Sequence, residues 1–387
     1  MITETEFGFA EPAPAFLPPP AADEAERLAR LRLIRSRRVG PATYMRLMGE
    51  HGRAAAALDA LPEVARAAGV ADYAPCPEPV ALAELRAAKR AGARMLLLGE
   101  AEYPADLAQI ADAPPVLWAK GKTSLLSRPM LALVGTRNAS ALGTRMARRL
   151  VADLGAAGFV VVSGLARGVD ALAHRAALET GTIAVMAGGL DVVYPTENTD
   201  LAHDIAKRGL TLSEMPFGLH PQARHFPRRN RIVAGLARAV IVVEAAARSG
   251  SLITARIALD QGRDVMAVPG HPMDSRASGA NLLIRDGATL IRGAEDVIEA
   301  LGALGPAAPA PRPAPAPAPA AAPPAAAPPE GGDEGAILAL LGPEPVAEDQ
   351  LIRDLGRPPR AVAQALAILE MAGRITRSAG GFVSRSD

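Results

Sequence analysis

The sequence predicts an α/β protein: a doubly wound, mostly parallel sheet, with a small N-terminal helical domain and a C-terminal winged helix. Three observations predict it. Short apolar runs, without the polar alternation of a half-exposed strand, recur at 130–134, 159–162, 182–186, 211–212, 239–243 and 264–268. Stretches of helical spacing separate them at 141–157, 170–180, 198–208, 251–261 and 279–286. Strands buried on both faces and alternating with helices imply parallel pairing, with helices covering each face. An Ala-Pro tract at 306–329, with eleven prolines in 24 residues, cannot pack a core and sets off the C-terminal region as a separate module.

Composition narrows the function classes. At 387 residues the chain is too long for one ordinary core. It is 49% hydrophobic and 21% charged, a globular balance, with a formal net charge of +1. A nucleic-acid partner would therefore have to be met by a local basic patch. The one cysteine, Cys76, excludes an internal disulfide framework and fits a reducing cytoplasm. The start, MITETEFGFAEPAPAFLPPP, lacks the basic-then-apolar pattern of a secretory signal. No long uncharged apolar run occurs outside the Ala-Pro tract, and its prolines rule out a membrane helix. A soluble, cytoplasmic protein without a membrane partner is expected.

Taken in order, residues 1–22 read as a disordered tail and 23–75 as a helical domain. Its turn VGPATYMRLM is similar to a helix–hairpin–helix, in which a glycine turn offers backbone amides to phosphate. Arg35, Arg37 and Arg38 lie just before that turn, and a plain helical bundle fits equally well. APCPEP at 74–79 is a soft boundary before the sheet domain at 80–300. The Ala/Pro linker at 302–333 is expected to be a semi-rigid spacer. Residues 335–387 read as three helices, at 336–341, 348–355 and 359–371, and a strand pair around SAGG, which make a winged helix. Arg360 and Gln364 on its third helix could face a major groove, but six basic residues there meet six acidic ones. That balance favours an interaction or autoregulatory role over strong independent DNA binding.

In doubly wound sheets ligands sit beyond the carboxyl ends of the strands, so the residues after each strand matter most. The first exit, VGTRNASALG, has Gly135 for a turn, Arg137, and Ser140 to cap the next helix. It is not GxGxxG, and the second strand ends in Ser163-Gly164 rather than an acid, so no dinucleotide cofactor is expected. The second exit, SGLARGVDALAH, places glycine amides and Arg167 at a helix N-terminus, an arrangement suited to an anion. Asp170 reads as that helix's cap, in preference to a metal pair with His174. The exits at Gly188-Gly189 and Ser249-Gly250 also lead into helices. Each turn alone is weak evidence, but together they line one edge.

The segment RHFPRRNR adds Arg224, Arg228, Arg229 and Arg231, and no acid occurs between Glu214 and Glu244. Residues 124–300 carry four more basic than acidic side chains, largely through this segment. Pro227 biases Phe226 towards an extended conformation. A phenylalanine among guanidinium groups suits single-stranded nucleic acid, with charges on phosphates and the ring on a base. The alternative for Phe226 is a hydrophobic plug beneath the loop.

The ordered series VGTRNAS, SGLARGVDALAH, GGLDVVYPTEN, SEMPFG, FPRRNRIVAGLA, VVEAAARSGSLITA, GRDVMAVPG and SGANLLIRDGA resembles the DNA-processing protein A family, DprA or Smf, over residues 80–300. The resemblance implies a Rossmann-like core that binds single-stranded DNA without cutting it. It also implies a homodimer that loads a RecA-type recombinase onto strands entering during natural transformation. The DNA-binding set it suggests, with the exits above, is Arg137, Ser163, Gly164, Arg167, Gly188, Gly189, Arg224, Phe226, Arg228, Arg229, Asn230, Arg231, Ser249 and Gly250. Arg224-His225 departs from the lysine or asparagine common in relatives. No metal, cofactor or catalytic group is expected. The rival reading is a nucleoside-monophosphate phosphoribohydrolase on a related core, with Glu244 as the acid–base group. A double-strand regulator acting through the winged helix is disfavoured by its balanced charge.

Overall fold

The computed structural model describes residues 17–303, 333–341, 346–378 and 382–385. The expected tail up to residue 16 and the expected linker from 304 to 332 lie outside the described residues.

Four helices open the chain: α1 (Glu24–Arg35), α2 (Pro41–His51), α3 (Ala54–Ala67) and α4 (Glu78–Arg90). α1 starts where the Asp23 carboxylate accepts the Glu26 N–H at 2.8 Å, and it ends with Arg32 and Arg35 in its last turn, both favourable to the helix dipole. α2 follows Gly40 with Pro41 at its first position, where a missing N–H costs nothing. Leu33, Tyr44, Leu47, Met48 and Leu61 close this domain's core. Arg35 pairs with Glu84 on α4, and Glu84 also accepts the Trp118 indole N–H at 2.7 Å, which ties the domain to the sheet.

The sheet has nine strands: β1 (Arg94–Leu97), β2 (Val116–Gly121), β3 (Met130–Val134), β4 (Val160–Ser163), β5 (Thr182–Val185), β6 (Leu210–Ser213), β7 (Ala239–Val242), β8 (Asp264–Ala267) and β9 (Thr289–Leu290). Their order is β1-β2-β6-β5-β4-β3-β7-β8-β9. All pairs from β6 to β9 are parallel, and β1 and β2 form an antiparallel edge that the apolar runs had not suggested. Eight helices accompany them: α5 (Ala105–Ala108), α6 (Ala141–Ala156), α7 (Val169–Ala176), α8 (Thr199–Arg208), α9 (His225–Leu236), α10 (Gly250–Asp260), α11 (Ser278–Arg285) and α12 (Ala294–Ala303).

The central strands are apolar throughout because each face meets helices. Ala132, Val162, Val185 and Val240 point into a core with α9 and α10, while Leu131, Leu133, Val161 and Ile241 point into one with α6, α7 and α12. Strand order reverses between β3 and β7, and the crossover from β6 to β7 contains α9. The arginine helix thus connects the two halves across the place where such folds bind ligands.

The C-terminal domain holds α13 (Asp333–Leu340), β10 (Val346–Ala347), α14 (Glu348–Leu355), α15 (Pro359–Met371), β11 (Ile375–Ser378) and β12 (Phe382–Arg385), with sheet order β10-β12-β11. Ile337, Leu351, Leu366 and Val383 form its core. The end of α15 docks on the N-terminal helices: Met371 is fully buried in their cluster, and Arg38 donates to its carbonyl.

Candidate nucleic-acid interface

The loops after β3 and β4 pack backbone against backbone. Gly168 adopts φ +70°, and a Cβ there would overlap Thr136 and Arg137. The Val169 N–H donates to the Thr136 carbonyl at 3.1 Å, so the loop bearing Arg137 and the loop bearing Arg167 are joined on one side of the edge. Both arginines are exposed. Ser140 caps α6 by accepting the Gly143 N–H at 2.9 Å.

The glycine loop after β4 satisfies its own amides. The Gly164 and Ala166 N–H groups donate to Asp170 Oδ2 at 3.1 and 3.3 Å, and the Leu165 N–H donates to His174 Nε2 at 3.3 Å. Asn198 donates to the carbonyls of Leu165 and Ala166. Asp170 is therefore not the helix cap expected from sequence. Gly168 occupies that position, and the Asp170 carboxylate turns back to fill the place of an external anion. His174 accepts at Nε2, so its proton sits on Nδ1, 2.7 Å from Thr182 Oγ1, and Thr182 donates onward to the Val161 carbonyl. Burial, reinforced by the Arg229 charge, holds His174 down to a pKa of about 3, so the ring is neutral. The Ser163 hydroxyl is buried and donates to the Leu133 carbonyl at 2.6 Å.

The arginine segment is helical, which corrects the extended conformation expected at Phe226. Pro227 is the third residue of α9, within the first turn, where its missing N–H has no intrahelical acceptor to lose. Helix formation also divides the arginines. Arg224 and Arg228 are exposed, whereas Arg229 and Arg231 are buried. Arg229 lies over Gly164, where any Cβ would overlap its guanidinium, with Nη1 4.0 Å from Asp170 Oδ2. Burial pushes the Asp170 carboxyl up and the Arg229 guanidinium down, and each partner opposes the other's shift. Arg231 reaches Asp112 at 3.2 Å and also pairs with Glu214. The acids missing from the local sequence are supplied by distant segments.

Gly188 and Gly189 are buried beneath the chain entering α9. The Gly189 N–H donates to the Leu219 carbonyl at 3.0 Å, and a Cβ on Gly188 would sit 2.6 Å from that oxygen. Ser249 caps α10 and Gly250 stands open. Asn230 is half-buried. Glu244 accepts the Ser140 N–H at 3.0 Å with one oxygen and the Ser140 hydroxyl with the other.

The loop after β5 completes the edge. Glu197 pairs with Arg167, and Tyr194 meets Phe226 with ring centroids 5.7 Å apart and planes at 56°. Sequence reasoning places this exit on the edge through Gly188 and Gly189 and does not single out Tyr194. The available signal was an aromatic side chain set in a polar turn at a strand's carboxyl end.

Three family models match the chain: DNA recombination-mediator protein A over residues 94–302, a DprA-like N-terminal HHH domain over 24–87, and a DprA winged helix domain over 306–381. The DNA processing protein DprA of Bacillus subtilis is 45% identical over 220 residues, covering 56% of this chain and 74% of the relative. Protein Smf of Escherichia coli is 38% identical over 285 residues, covering 73% and 74% respectively. The crystal structure of DNA processing protein A from Streptococcus pneumoniae superposes with a TM-score of 0.57 at 35% identity, covering 71% of this chain and 96% of that one. A structure of the Helicobacter pylori protein, described for its single-stranded DNA binding mode, gives 0.50 at 32% identity over 55% and 96%.

Proposed function

The chain belongs to the DNA recombination-mediator protein A family, called DprA or Smf, and we propose that it grips single-stranded DNA along the carboxyl edge of its sheet and passes the strand to a RecA-type recombinase. Its role is that of a DNA-processing recombination mediator. The observation that carries the single-strand reading is the continuous series of outward groups on that edge. Arg137 and Arg167 are joined through Gly168, Arg167 reaches the 194–198 turn through Glu197, and Tyr194 touches Phe226 between Arg224 and Arg228. Exposed guanidinium groups track phosphates, and a ring among them takes a base whatever its identity. Asn230, Ser249 and Gly250 extend this surface. Ser163, Gly164, Gly188, Gly189, Arg229 and Arg231 serve it from below by fixing the loops and the helix that present it.

The family resemblance supports a homodimer that acts in the cytoplasm on strands entering during natural transformation. None of the described helices is long and apolar enough to cross a membrane. The winged helix, docked through Met371, fits an interaction or autoregulatory role. We assign no catalysis. The rival hydrolase needs a free carboxylate at Glu244, and both of its oxygens are held by Ser140.

Fluorescence anisotropy with single-stranded and duplex oligonucleotides across a salt series tests this function. Tighter single-strand binding, with log affinity falling linearly as log salt rises, is expected. Equal binding to duplex, or affinity indifferent to salt, overturns it. Release of free base from a nucleoside monophosphate would revive the hydrolase.

A further inference from the structure

Tyr194 stands at the end of the turn after β5 with 53% of its surface exposed. Its ring meets the half-buried Phe226 at a tilt, and more than half of its surface remains open to water. Among the described residues nothing hydrogen-bonds its hydroxyl. Cationic side chains belong to the same two loops. Phe226 lies between Arg224 and Arg228, and Glu197, three residues on from Tyr194, holds Arg167.

We propose that Tyr194 and Phe226 form one aromatic platform for bases of the bound strand, with Tyr194 as its more exposed stacking face. This assignment rests on the single-strand reading above and deepens it. A large ring that only shielded Phe226 would be covered in turn, whereas this one stays 53% exposed on a turn whose Glu197 holds Arg167 and against a ring that Arg224 and Arg228 bracket in sequence. The 56° between the planes turns the two faces in different directions, so neighbouring bases stacked on them are splayed apart. Splayed bases cannot remain paired, which excludes duplex from the platform and favours single strands. Stacking accepts every base because each has a π-face.

The test compares an oligothymidylate with an abasic strand of the same length, which keeps the phosphates and removes the bases. The wild-type protein is expected to bind the thymidylate about five- to 150-fold more tightly than the abasic strand, the range set by stacking. Tyr194→Ala should lose most of that preference with its salt dependence and melting temperature unchanged. Tyr194→Leu, which still covers Phe226 but offers no π-face, should lose it as well, and Tyr194→Phe should keep it. A wild-type protein indifferent to the bases, or a preference that survives in Tyr194→Leu, overturns the platform while leaving the arginine edge intact. If wild type binds neither strand, the single-strand function fails and the platform with it.

Discussion

Within eight residues this chain places two arginines in water and two in its interior, and the contrast separates charge left open to solvent from charge neutralised within the fold. Arg224 and Arg228 lie four residues apart and share an outward face. Arg229 and Arg231 differ by about 200° around the helix, so they meet different acids, Asp170 on one side and Asp112 with Glu214 on the other. The local sequence, without an acid for 29 residues, gives all four the same standing. Only the exposed pair is left for an anion from outside.

The largest effect expected from that division is on stability. Arg229→Ala leaves Asp170 buried beside an empty space and should cost about 3–5 kcal/mol in urea unfolding. A loss below about 1 kcal/mol, comparable to a surface change, would move Arg229 from the fold to the ligand side of the comparison.

The same buried network sets a pH dependence. His174 titrates near 3 when folded and near its ordinary 6.5 when unfolded, so its stabilisation is complete above 6.5 and is lost as pH falls towards 3. At pH 5 the loss is about 2 kcal/mol relative to pH 7.5. Asp170, pushed up by burial, works in the opposite sense as pH falls, so the informative quantity is the difference from His174→Gln. Wild type should lose about 2 kcal/mol more than that variant between the two pH values. Parallel pH profiles would mean that His174 is protonated in the fold.

Arg228→Ala should change stability by no more than about 0.5 kcal/mol. It should nevertheless weaken single-strand binding and reduce the magnitude of the salt slope by about 0.7, one phosphate contact. An unchanged slope in a stable variant would remove Arg228 from the interface. The smallest effect is expected from deleting residues 333–387. Loss of Met371 uncovers part of the N-terminal helical core, while the sheet domain should remain folded with its single-strand affinity unchanged. Lost affinity in a folded truncation would give the winged helix a direct share of the DNA.

The sequence by itself determined the doubly wound sheet, because strands such as 130–134 and 239–242 bury both faces and show it in unbroken apolar runs. It also located the loops after β3 and β4 and the arginine segment, since glycine, arginine and capping serine are legible one at a time. It did not show the β1–β2 edge, whose short runs resemble any buried segment. Tertiary structure alone decided which loop amides were free, because the anion that holds Gly164 and Ala166 comes from Asp170 on the following helix. It alone turned Phe226 into the first turn of α9 and set Tyr194 against it. The physical reason is one of range. Burial periodicity and caps are local properties, whereas neutralising a charge or pairing two rings depends on groups brought together from distant parts of the chain, as Asp112 and Arg231 are.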